Sequence, residues 1–563
     1  MALDKFHIIS FFILYAICRR APPRAPQNRY KSYDDKDDGE PRTQELRFKP
    51  VRPPGVQLEN VRTRQGATTM TKAIDFFKLF FTFEVISRIC DYTNAYADAH
   101  IGDRETYSLS DGTWNKVNPD DMWSLIGLLI YMGLVRLPDI ESYWSTATLY
   151  HGTWARAFMS RDRYKSIMSF LHVVDAQTEE PEDALKKVRY LVDHMKTSCK
   201  RLFQPFEHVA IDERMVKSKA RFPMRQYIRD KPTKWGFKLW VIADSSTGYT
   251  YDFNIYIGRR AQASEHGLSY DVVLTLVEDL MNQGYKLYMD NFYTSMKLLT
   301  DLKKNRVWAC GTTNTNRRGF PAEFRTTFRQ WSKASSRGNM RWLRSDGNVA
   351  VQWKDNKTIT MLSSFHSASD YGYCRRRVKE GGQFHRKIVK QPKVVQDYNA
   401  HMGGVDRSDQ LLSNYDILRK TTKYWKTLFF HFIDIAIINS YILFQEWRKR
   451  HPDIEALQRS KRYDPRSFRE ELSRQLGGIQ DSDKVPLFRP PAPVAEIPVN
   501  VSYHLPEDTH DRRDCKVCAR TLKKNAYKSF VKCTTCNVHL CLNKNRNCYK
   551  IFHTADIYKD LVK

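Results

Sequence analysis

Three apolar stretches with the alternation of β-strands follow one another between residues 209 and 257, and the first closes on a carboxylate, Asp212, with Glu213 directly behind it. Residues 237–244 and 249–257 are the other two, and Thr247-Gly248 supplies the turn between them. This spacing predicts a three-stranded meander. Residues 270–282 then carry Val272, Val273, Leu276 and Leu280 at helical intervals, and 285–290 are a further strand pattern ending in a carboxylate, Asp290. A helix over 296–304 and a strand over 307–311 continue the alternation. That order makes a mixed sheet of the α/β class, and carboxylates at strand ends meet at one rim of such a sheet.

A third acidic block is Gly403-Gly404-Val405-Asp406-Arg407-Ser408-Asp409-Gln410. A helix starting after the glycine pair puts Asp406 and Asp409 on one face, at the end that favours negative charge. Converging carboxylates suit two divalent metals, which stabilise the attacking and leaving oxygens of a phosphodiester exchange. Together, Ile211-Asp212-Glu213, Met289-Asp290-Asn291-Phe292-Tyr293-Thr294-Ser295 and the glycine-pair block resemble the three catalytic blocks of piggyBac-type transposases, and the resemblance covers residues 72–553.

The resemblance implies a ribonuclease H-like core in which Asp212, Asp290 and Asp406 hold two Mg²⁺ ions and Asp409 supports them, by direct ligation or from behind. It implies a nuclear enzyme that excises DNA through a hairpin at the transposon end, integrates at TTAA, acts as a homodimer on double-stranded DNA, and has no stable membrane association. The expected organisation is a disordered tail over 1–70, a helical dimerisation and DNA-binding domain over 71–207 and 419–485, and a catalytic core over 208–311 and 393–418. A β-rich insertion at 312–392, a linker at 486–510 and a cysteine-rich module at 511–563 complete it.

Charge agrees with a polyanionic partner: 92 Lys and Arg against 63 Asp and Glu give +29. Nucleic acid is the first candidate and an anionic membrane surface the second. After Asp212, Arg225, Lys231, Lys234 and Lys238 interleave with Phe222, Tyr227 and Trp235, a pattern suited to phosphate contacts and base stacking. Arg419 and Lys420 are further DNA candidates, while Trp425 suits core packing or, from the resemblance, stacking on a flipped base. The cations Arg375, Arg376, Arg377, Lys379, Arg386, Lys387 and Lys390 make the insertion another candidate DNA surface, against the plainer reading of a solvated face.

The last module carries Cys515-x-x-Cys518 and Cys533-x-x-Cys536, then Cys541, Cys548 and His553. Paired thiolates at this spacing chelate structural Zn²⁺, with disulfides as the alternative. These seven ligands are one short of two four-coordinate sites; His539 or a water is the eighth, or a single zinc binds. At the other end, residues 6–18 form an apolar run that reads as a secretory segment, a short anchor or a dispensable amino end, the last being favoured. The apolar stretch 428–443 reads as a buried helix, short for a membrane span and interrupted by His431 and Asp434. Two other functional classes compete: a domesticated sequence-specific DNA-binding protein that retains the fold without transposing, and a membrane or secreted protein in which disulfides replace zinc.

Overall fold

The computed structural model describes residues 30–58, 70–103, 114–483 and 504–554, apart from 33–34, 38, 40, 42–43, 148, 151, 176–178, 230, 259–264, 381, 418, 481 and 523–525. The apolar run at 6–18 and the Pro-rich stretch at 486–498 lie outside the described residues. The chain forms two units, Met1–Pro486 and Leu487–Lys563.

The first unit is built on one sheet. Strand β1 (His208–Lys217) pairs antiparallel with β2 (Trp235–Asp244), which pairs antiparallel with β3 (Thr250–Ile255). On its other side β1 pairs parallel with β4 (Lys286–Met289), and β4 parallel with β5 (Trp308–Thr312). The order is therefore β3-β2-β1-β4-β5. Val209, Ala210 and Ile211 are all fully buried, as a central strand covered on both faces requires. Between β2 and β3 the Asp244 carboxylate accepts from the Ser246 and Thr247 amides at 3.0 and 2.8 Å, and Gly248 takes a φ of 78°. The connections to β4 and β5 are helices, α1 (Leu268–Val277) and α2 (Met296–Lys304).

Three expectations from sequence are corrected here. Asp212 does not end its strand: β1 continues to Lys217, because Arg214 and Val216 alternate into the buried side and keep the strand paired. The strands β6 (Met340–Ser345), β7 (Asn348–Lys354) and β8 (Thr358–Ser363) do not form a separate domain. They extend the same sheet through β8, which pairs antiparallel with β5, and they are preceded by a helix, Ala322–Ala334. Strand alternation identifies such segments but not the edge they join. Finally, the described part of the expected tail lies against the core. The Lys49 amide donates to the Gln283 carbonyl at 2.8 Å, Gly55–Val56 pairs with Phe203–Gln204, and Val56 and Leu58 are buried. Asp37 is buried too, accepting from Arg344 Nε at 2.8 Å and the Ala368 amide at 2.7 Å.

The helical parts come from both sides of the sheet in sequence. Helix Pro119–Leu134 opens on a reciprocal cap in which Asn118 Oδ1 accepts from the Asp121 amide at 2.9 Å and Asp121 Oδ2 from the Asn118 amide at 3.2 Å. It packs against helix Pro465–Leu476, where Ser473 Oγ donates to the Gly127 carbonyl at 2.8 Å. Helix Tyr424–Arg450 is long and apolar enough to cross a membrane, yet 94% of its most apolar window is buried inside the protein. It is a core helix, joined to Pro465–Leu476 by a buried ion pair, Asp434 to Arg469, at 3.0 Å.

At the start of β1, four residues before Asp212, the rings of His208 and His401 stack at 3.7 Å and 3°. Burial, with the other imidazole adding, pushes the His208 pKa down from 6.5 to about 4. A depressed imidazole holds the folded state together above its ordinary pKa, and that contribution is lost as pH falls through 6.5 toward about 4. His401→Phe, which keeps a ring in the stack, is expected to reduce the acid loss across this window by about 1–2 kcal/mol after solvent screening. Denaturant unfolding at a series of pH values measures it; an unchanged pH profile would refute the assignment.

Candidate active site

The acids predicted from sequence are brought together from three elements. In the parallel pairing of β1 with β4, Ile211 is opposite Met289, so the next residues, Asp212 and Asp290, are neighbours across the strands. Adjacent strands lie about 4.8 Å apart. Asp406 occupies the first turn of α3 (Gly404–Ser413). That helix seats directly on the sheet because Gly404 has no side chain. A Cβ there would meet Ser245 Cα at 3.0 Å, the Asp244 carbonyl oxygen at 3.2 Å and Ala210 Cβ at 3.4 Å. Gly404→Ala is expected to push the helix off by a few tenths of an ångström and to cost about 1–3 kcal/mol of stability, with the fold kept. Denaturant unfolding tests this; an unchanged midpoint would refute the seating argument.

The carboxylates sense one another. Burial foremost, with Asp290 and Asp406 adding, raises the Asp212 pKa to about 6, although the Glu213 amide donates to Asp212 Oδ1 at 2.7 Å. Asp290 is also raised, first by burial and then by Glu213, while the Phe292 amide at 2.9 Å and Lys231 oppose it. A partly buried carboxylate facing the charges of two others, as Asp212 faces Asp290 and Asp406, belongs to a site that gains by binding a cation. Oxygen donors with no soft ligand among them fit Mg²⁺.

Asp409 is differently placed. Arg214 Nε donates to Asp409 Oδ1 at 2.5 Å, and Arg214 Nη2 donates to Ser408 Oγ at 2.8 Å and Thr250 Oγ1 at 3.3 Å. Arg214 is buried and stands two residues along β1 from Asp212, on the same strand face. It therefore clasps the helix of the third acid to the strand of the first. In sequence Arg214 precedes the basic run at 225–238, and its period-two relation to Asp212 is the signal for an inward role.

The predicted DNA contacts divide. Arg225 lies 4.5 Å over the Trp235 ring, and Tyr227 and Trp235 are half exposed, so this cluster faces solvent, as does Lys234. Lys231 donates to the Glu213 carbonyl at 3.3 Å, beside the acids. Lys238 is bound inward, ion-paired to Glu213 and 4.8 Å over the Phe292 ring. Arg419 donates to the Tyr143 hydroxyl at 3.1 Å and Lys420 is exposed. Trp425 is 3% exposed and packs 5.2 Å from the His172 ring, so the base-stacking expectation is corrected: its ring has no face open to a base.

In the second unit, strand Pro506–Asp514 pairs with Lys528–Cys533, and helices Lys516–Leu522 and Cys548–Thr554 carry ligands. Two clusters form, Cys515-Cys518-Cys541-Cys548 and His504-Cys533-Cys536-His553, each with donor atoms within 4.8 Å of one another. Cys518 Sγ is 3.9 Å from Cys541 Sγ and 3.6 Å from Cys548 Sγ. Sulfurs on one tetrahedral Zn²⁺ lie about 3.8 Å apart, whereas a disulfide is about 2 Å, so the spacing fits a metal. His504 Nδ1 lies 3.0 Å from Cys536 Sγ, and His553 Nε2 3.6 Å from the same sulfur. His539 is not in either cluster; its Nδ1 is 2.9 Å from the Ser529 carbonyl oxygen. The eighth donor of the two clusters is His504, upstream of the expected module boundary at 511, and no chelate spacing to Cys533 marks it in the sequence.

A family model described as Transposase IS4 matches residues 72–441. The chain is 27% identical over 394 residues to human PiggyBac transposable element-derived protein 3, covering 69% of this chain and 63% of that protein. Over 423 residues it is 26% identical to human PiggyBac transposable element-derived protein 5, covering 73% and 76%. Among solved structures, the cryo-EM structure of the piggyBac transposase synaptic complex with hairpin DNA is similar in fold, with a TM-score of 0.62 at 24% identity over 87% of this chain and 98% of that one. With the family match running from the helical segment ahead of β1 to the core helix after the third acid, the chain belongs to the piggyBac-type transposase family.

Proposed function

We propose that the protein is a cut-and-paste DNA transposase with a ribonuclease H-like core, working in the nucleus as a homodimer on transposon ends and TTAA targets. The observation that carries this reading is the meeting of Asp212, Asp290 and Asp406 from two parallel strands and one helix. The strand order β3-β2-β1-β4-β5, three antiparallel and two parallel, supports the ribonuclease H-like reading. Asp212, Asp290 and Asp406 would hold two Mg²⁺, which supply Lewis-acid stabilisation of the attacking and leaving oxygens. Asp409 acts as a positioning residue: through Arg214 it fixes the azimuth of the helix that presents Asp406. Arg225, Lys234 and Lys420 would meet phosphates, and Lys231 would hold the scissile phosphate against the acids.

Incubating the protein with Mg²⁺, DNA carrying the element's own ends and a target plasmid, then sequencing the junctions, tests the reading. Junctions at TTAA support it. Sequence-specific binding of the ends with no cutting would replace it by a domesticated DNA-binding protein.

The second unit would hold two structural Zn²⁺ in interleaved sites. His504→Ala is expected to reduce bound zinc from two ions to one per chain, measured by plasma emission on purified protein, whereas His539→Ala leaves two. Retention of both ions in the His504 variant would refute its role.

A further inference from the structure

The excursion between β8 and the third acid includes a two-stranded ribbon that joins no other strand among the described residues, β9 (Tyr371–Glu380) with β10 (Gln383–Pro392). Its register, Tyr373 opposite Lys390, Arg375 opposite Ile388, Arg377 opposite Arg386 and Lys379 opposite Phe384, sorts its side chains onto two faces. The inner face is fastened. Val389 is buried, Arg376 Nε donates to Asp355 Oδ2 at 2.9 Å, and Trp353 Nε1 donates to the Lys390 carbonyl at 2.8 Å. The outer face carries the cations Arg375, Arg377, Lys379, Arg386 and Lys390 and no carboxylate. Among them stand rings that folding leaves in water: Tyr373 is 65% exposed, Phe384 57% and Tyr371 47%. The Arg377 guanidinium lies 4.0 Å over Phe384, and Lys390 lies 4.1 Å over Tyr371.

Cations alone would suit any phosphate backbone. Exposed rings between them do not help a duplex, whose base faces are stacked inside it, but they match unpaired bases, which stack on aromatic and guanidinium planes. We propose that the outer face of this ribbon binds an unpaired DNA strand, its cations tracking the phosphates and Tyr373 and Phe384 stacking on bases. At about 3.3 Å per residue the ribbon is long enough to engage several nucleotides. The inference rests on the transposase reading, in which cutting and joining leave strands unpaired beside the acids.

Binding is measured on the full chain in EDTA, with labelled oligo(dT) and with a random duplex of equal length, so that no cleavage is needed. Tyr373→Ala/Phe384→Ala is expected to weaken oligo(dT) binding about tenfold or more while leaving the duplex within about twofold. Both side chains are exposed, so thermal unfolding should not move. Arg375→Gln/Arg377→Gln should weaken both ligands and flatten the salt dependence. Equal losses for both DNAs in the aromatic variant, or no loss for oligo(dT), would overturn the inference. So would a ribbon-dependent preference for oligo(U) RNA over oligo(dT). Cutting of the element's ends by the wild type alongside an unaffected aromatic variant would overturn this inference and leave the transposase reading standing. Selective loss of oligo(dT) binding without cutting would do the reverse.

Discussion

Asp290→Asn is expected to abolish Mg²⁺-dependent cleavage of DNA carrying the element's ends, by a factor on the order of a thousand or more, while leaving the metal-free protein at least as stable as wild type. The amide keeps the shape of the carboxyl and can still accept from the Phe292 amide, which holds Asp290 Oδ1 at 2.9 Å. What disappears is a negative charge that burial and Glu213 already make unfavourable in the folded chain. A cation relieves that repulsion and so does neutralisation, which is why the two effects separate: chemistry is lost and stability is not. Cleavage assays paired with unfolding in EDTA measure both halves. Cleavage within tenfold of wild type would remove Asp290 from the metal site.

Asp434→Ala is expected to cost about 3–5 kcal/mol of stability, the largest single loss among the substitutions considered. Both side chains of the Asp434–Arg469 pair are almost wholly buried, and Asp434 also accepts from the Ile417 amide at 3.1 Å. Nε and Nη2 of Arg469 already lack partners, so removing the carboxylate strands a buried guanidinium and a buried amide together. Asp434→Leu/Arg469→Met should recover most of the loss, because the penalty comes from the unpaired charge rather than from absence of the pair. Denaturant midpoints for the single and double variants decide the point. A double variant as unstable as Asp434→Ala would show that packing, not charge, governs the site.

The core from residue 208 to 312 was legible because its information is local. Helix Met296–Lys304 follows from its apolar spacing, and Gly248 marks its turn directly. The acids were legible for the same reason, each embedded in a short, distinctive block. What stayed hidden depends on partners far away in the chain. No local pattern says that β8 pairs with β5, or that Val56 and Leu58, in a segment of polar composition, are buried. His504 lacks a near neighbour to make a chelate, whereas His539 sits among the cysteines and binds a carbonyl instead. For Trp425, beside basic residues in sequence, core packing was legible but base stacking stayed open, and the packing of the Tyr424–Arg450 helix decides for the core.

The Arg214 clasp bears on how the chain can change over generations. The second and third acids are separated by a long excursion of strands, helix and ribbon, and each doubling of such a loop raises its closure free energy by only about 0.6 kcal/mol. Because Asp409 and Ser408 are fastened to β1 by Arg214, and Gly404 rests on β1 and the end of β2, the position of Asp406 does not depend on how the intervening chain travels. That excursion can then be lengthened or shortened without displacing Asp406 from the rim where Asp212 and Asp290 meet.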